Sequence, residues 1–76
     1  MNALRRTHLG RISDQIEILR CSLEDILEDE TAARDNIPEG LQESPIYARA
    51  QHCTGSLEQA VKDLTAALDA IQEARE

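Results

Sequence analysis

The chain has 76 residues, with 15 acids against 8 bases for a net charge of −7, and 41% of its residues are hydrophobic. So short a chain forms one small domain without room for a deep catalytic pocket, and its acidity excludes broad binding to the phosphate backbone of DNA or RNA. No apolar run is long enough to span a membrane and no signal-peptide core is present, so the expected setting is the cytoplasm.

The apolar residues are almost all Leu, Ile and Ala, with one Tyr and no Trp or Phe, which predicts an all-α protein. A first helix is expected over about residues 3–35, with Asn2 as its cap. Within it Leu9, Ile16 and Leu23 form one heptad column and Ile12, Leu19, Ile26 and Ala33 the other. Pro38 and Gly40 mark a stop, so residues 36–44 are expected to form the connection. In it Asn36 is suited to a left-handed cap and Leu41 to packing over the end of the pair.

A second helix is expected over about residues 45–75, where Ser44 suits the N-cap and Pro45 the first helical position. Its columns are Tyr47, Thr54, Val61 and Leu68, and Ala50, Leu57, Leu64 and Ile71. Two helices of this length with a short link fold back as an antiparallel hairpin. A turn centred near residue 40 would face Leu23 with Leu57, Leu19 with Val61, Ile16 with Leu64 and Ile12 with Leu68. A third column, Ile46, Cys53, Ala60, Ala67 and Ala74, and the outlying Ile18 and Leu27 exceed what one hairpin covers. That surplus predicts a homo-oligomeric helical bundle, most simply a four-helix dimer.

Charge is unevenly spread. Residues 1–20 hold four Arg against two acids, for +2, whereas residues 21–44 hold eight acids against one Arg, for −7. In the first helix this opposes the helix dipole. One compensation is pairing of Arg5, Arg6 and Arg11 with Asp69, Glu73 and Glu76 across the hairpin. The other is an anion site built from Arg5, Arg6, His8 and Arg11 of several copies, since the guanidinium fork suits phosphate and carboxylate.

The acidic run Glu24, Asp25, Glu28, Asp29 and Glu30 lacks the spacing of a calcium loop and reads as a solvated face. Cys21 and Cys53 should lie several turns apart, as two reduced thiols, and His52 beside Cys53 has no second ligand pair. No metal, cofactor or catalytic residue is therefore expected, and the chain reads as a non-enzyme.

The connection carries the most specific pattern: Arg34, Asp35, Asn36, Ile37, Pro38, Glu39, then Leu41 and Gln42, followed by Ser44 and Tyr47. It resembles a group of small phage and prophage helical-hairpin proteins, mostly without assigned function, whose first helix ends in Arg-Asp-Asn-(Ile/Met)-Pro-Glu-X-Leu-Gln. The likeness runs over residues 24–75 and implies a phage setting, hence the host-cell cytoplasm. The chain differs in its Pro45-Ile46 and its Arg-rich N-terminus.

Capping and stopping account for most of this motif. Arg34, Gln42 and Tyr47 remain, a donor, an amide and an aromatic able to hold a base or ribose. With Arg5, Arg6 and Arg11 they form the candidate ligand-binding set. The expected function is a sponge that sequesters a nucleotide-derived immune signal at inter-subunit pockets. The alternative is a structural or inhibitory coiled-coil module binding a host or phage protein through its acidic face or an apolar column.

Overall fold

The computed structural model describes all 76 residues and is entirely helical. Helix α1 runs over Ala3–Asp35 and helix α2 over Pro45–Arg75. They pack against each other as a rod of 59 × 15 × 13 Å. Neither helix is long and apolar enough to cross a membrane.

Local chemistry sets the helix ends. The Asn2 side chain accepts a hydrogen bond from the Arg5 backbone N–H at 2.8 Å, satisfying one of the four donors that a helix start leaves open. At the other end, Pro38 disfavours helical geometry at Ile37, and α1 closes just before it. Its last turn tightens, with the Ile37 N–H bonding the Arg34 carbonyl at 3.1 Å. The left-handed cap expected at Asn36 does not form: this residue is right-handed, at φ −84° and ψ −4°. The chain instead continues into a short 3-10 turn, Glu39–Leu41, held by a 2.8 Å bond from the Leu41 N–H to the Pro38 carbonyl. Leu41 points outward on this turn and does not cover the hairpin end. Ser44 then caps α2, accepting from the Tyr47 N–H, and Pro45 occupies the first position, where its missing N–H costs nothing.

On α2, both columns expected at the seam are half-buried or buried. On α1 only one is. Leu9, Ile16 and Leu23 are half-buried, but Ile12, Leu19, Ile26 and Ala33 are exposed, Leu19 at 62% and Ile26 at 52%. The column beside Leu9, Ile16 and Leu23 at the seam is Ser13, Arg20, Leu27 and Arg34, one residue further along. The helix is thus turned so that two Arg side chains, rather than three large aliphatic ones, face α2.

Two matched contacts accompany that orientation. Arg20 donates to the Thr65 hydroxyl at 3.3 Å, and Thr65 donates to its own helix at the Val61 carbonyl. Arg34 repeats the pattern with Thr54, at 3.3 Å, while Thr54 donates to the Gln51 carbonyl. Each Thr satisfies its proton locally and leaves a lone pair for the guanidinium. Acids on α1 assist: Arg20 pairs with Glu17 and lies 3.4 Å from Glu24, and Arg34 lies 3.1 Å from Asp35. Both guanidinium groups reach toward later α2 residues than a turn centred near residue 40 would oppose, which is the direction in which side chains lean on α1.

The seam has little core. Thr54, at 1% exposure, is the single buried residue, and no hydrophobic residue is fully buried. Half-buried Leu64 lies in the middle of the seam. Leu64→Glu should therefore destabilise the hairpin by about 2 kcal/mol or more through an unpaired charge against apolar neighbours. Thermal melting by circular dichroism checks this, and an unchanged melt would remove Leu64 from the seam.

Candidate functional site

The candidate residues fall into two groups at opposite ends of the rod. Arg5, Arg6 and Arg11 occupy the first turns of α1, all exposed. Arg34 ends α1, Gln42 is exposed in the connection, and Tyr47 is half-buried in the first turn of α2. From Arg11 to Arg34 is 23 helical residues, or about 35 Å. One hairpin therefore does not bring the two groups together.

The N-terminal group is electrostatically unspent. The three ion pairs of the chain all involve Arg20 or Arg34, so the pairing of Arg5, Arg6 and Arg11 with Asp69, Glu73 and Glu76 does not form. Arg75 takes part of that space: its guanidinium lies against Gly10, where an added Cβ would come within 3.1 Å of it. That places a base, not an acid, beside the basic turns of α1.

Two shallow depressions flank this end. One, of about 210 Å³, is lined by Met1, Arg5, His8, Leu9 and Ile12. The other, of about 230 Å³, is lined by Leu4, Thr7, His8 and Arg11. His8 belongs to both, and together they offer cationic and imidazole donors over an apolar floor. Each is smaller than the usual range of small-molecule pockets, about 300–1,000 Å³, and each is open on one side. Arg6 lines neither. The apolar floor was hidden in the sequence because Leu9 and Ile12 read there as seam positions; Ile12 lies outside the seam, and half-buried Leu9 reaches both.

At the other end, Arg34 is engaged with Thr54 and Asp35. Its position among the residues left over by capping is therefore accounted for by the seam. Gln42 donates its backbone N–H to the Glu39 carbonyl, and its side chain makes no hydrogen bond within the chain. Tyr47 sits on the seam column with Thr54.

The third depression, of about 330 Å³, lies at mid-rod against Gln15, Ile18 and Leu19. No group of three His, Cys, Asp or Glu side chains converges as a metal site. Cys21 and Cys53 are free thiols, the first exposed and the second half-buried. Comparisons with protein-family models, with curated proteins and with solved structures give no match to this chain.

The geometry separates structural from available cations. Arg20→Ala should lower stability by about 1 kcal/mol, since it strips the Thr65 contact and leaves a seam position unfilled. The double change of Arg5 and Arg6 to Ala should stay within about 0.5 kcal/mol of the parent. Paired denaturant titrations distinguish the two, and equal losses would mean that the N-terminal Arg residues are structural.

Proposed function

We propose that the chain is a non-enzymatic binding protein of phage type, a homo-oligomeric sponge that sequesters a nucleotide-derived immune signal of the host cell. It acts by stoichiometry in the host cytoplasm, with no turnover and no cofactor. The observation that carries this reading is the unpaired basic pole of α1, where Arg5, His8 and Arg11 line two open depressions, the first of them floored by Leu9 and Ile12. Arg forks and an imidazole suit a phosphodiester, and the apolar floor suits the face of a base. Both depressions lack an outer wall, which a second subunit would supply. The loop resemblance to phage and prophage hairpins gives the setting.

A second reading has its own observation. The exposed stripe of Ile12, Leu19 and Ile26 is also the kind of surface on which an inhibitory coiled-coil module engages a host or phage protein. That module needs no pocket and no Arg cluster.

Native mass spectrometry of protein purified from infected or defence-expressing cells, compared with the same sample after denaturation, separates the two. The sponge reading predicts an oligomer carrying an integral number of nucleotide-mass ligands that denaturation releases. Arg5, Arg6 and Arg11 changed together to Glu should lose the ligand at least tenfold in affinity. A ligand-free oligomer from such cells contradicts the sponge, and a host or phage protein in its place favours the module.

A further inference from the structure

We infer that α1 pairs with α1 of a second copy, antiparallel, about a two-fold axis near Leu19, and that this pairing assembles the two halves of the candidate site. Three independent observations lead to it.

The first is where the uncovered apolar surface lies. Ile12, Leu19 and Ile26 recur at heptad spacing on one face of α1, with Ile18 beside them at 66% exposure. On α2 the one large apolar residue exposed to a comparable degree is Ile46, at its extreme end. A complementary apolar stripe is therefore found only on α1 itself. An isologous contact uses the same patch twice, and Leu19, midway between Ile12 and Ile26, is where the axis places each Ile against the other Ile of the partner subunit.

The second is charge. The +2 of residues 1–20 and the −7 of residues 21–44 repel in a parallel pair and attract in an antiparallel one. With the axis near Leu19, Arg11 runs level with residue 27 of the partner subunit and on the same flank as Asp25 and Asp29 of the partner subunit, one turn apart there. This answers the inverted dipole of α1, which no contact within the hairpin does.

The third is area. The chain exposes 5749 Å². A compact monomer of 8.5 kDa exposes about 4,650 Å². The excess, about 1,100 Å², exceeds the roughly 800 Å² that each partner contributes to a standard interface.

The pairing has a consequence for the ligand reading, on which this part of the inference rests. Arg5 lies 14 residues before Leu19 and Arg34 lies 15 after it, so each is about 21–23 Å from the axis along the helix. Antiparallel packing brings the Arg5 and Arg6 end of one copy alongside the turn of the other, where Gln42 is exposed while Arg34 and Tyr47 remain on the seam. The acidic turn of the partner pairs with Arg11, whereas Arg5 and Arg6 pass the neutral stretch Thr31, Ala32 and Ala33 of the partner subunit. Two equivalent sites result per dimer, each incomplete in one hairpin.

Site-directed cross-linking tests the interface directly. With both native thiols removed (C21S and C53S), L19C should form a disulfide-linked dimer under mild oxidation. The internal control keeps native Cys21 in a C53S background: Cys21 is exposed but lies about 200° around the helix from Leu19, and it should stay unlinked. Leu19→Glu should return the assembly to a lower mass in sedimentation while keeping native helicity, because Leu19 is outside the seam. Failure of L19C to cross-link, equal linking through Cys21, or an unchanged mass for Leu19→Glu would each overturn the pairing. A linked dimer that carries no ligand leaves the interface standing and removes the sponge; a ligand-bearing oligomer that L19C does not link does the reverse.

Discussion

The exposed stripe of α1 constrains everything else in the molecule: Arg20 and Arg34, in contact with Thr65 and Thr54, occupy the seam, and Ile12, Leu19 and Ile26 are left on the surface. A hydrogen bond of this kind contributes about 1 kcal/mol net, whereas burying Ile12, Leu19 and Ile26 would contribute about 1.5–3 kcal/mol each. An isolated hairpin would gain by turning α1 to bury that column. The turn actually adopted is consistent with a stripe that has another use, and covering by a further copy resolves the imbalance without disturbing either Arg.

The same two contacts divide the cations by role. Arg20 and Arg34 are inside the seam, held by Thr hydroxyls and by acids on their own helix. Arg5, Arg6 and Arg11 have no such partners and sit on a helix end where the dipole disfavours positive charge. A protein that keeps cations there without internal compensation either pairs them with another subunit or spends them on an anionic ligand. The antiparallel arrangement inferred above would allow both, with Arg11 toward the partner's acids and Arg5 and Arg6 free for an anionic ligand.

Most of the fold was legible in the sequence because it rests on local signals. Asn2 and Ser44 cap, Pro38 stops and Pro45 starts, and each acts through backbone groups within a few residues. The α2 seam was legible as well, since Leu57, Val61, Leu64 and Leu68 have no apolar rival column of similar strength. On α1 two columns compete on either side of Leu9, Ile16 and Leu23. A reading that rewards hydrophobicity selects Ile12, Leu19 and Ile26 over Ser13, Arg20, Leu27 and Arg34. The clue to the opposite outcome was relational: Arg20 and Arg34, two heptads apart, match Thr65 and Thr54 on the facing helix. Such a match is visible only once the helices are paired. The candidate site was legible as residue types but not as a place, because its halves lie at opposite ends of one hairpin.

A hairpin whose α1 is covered by another copy exists in equilibrium with its assembly. Binding of native subunits to one another stabilises the folded form by mass action, so the melting temperature must depend on protein concentration. Melting followed at 222 nm over a hundredfold range of concentration tests this most directly. The account predicts a melting temperature that climbs steadily with concentration. A melting temperature that stays constant across the range would contradict it and leave a self-sufficient monomeric hairpin.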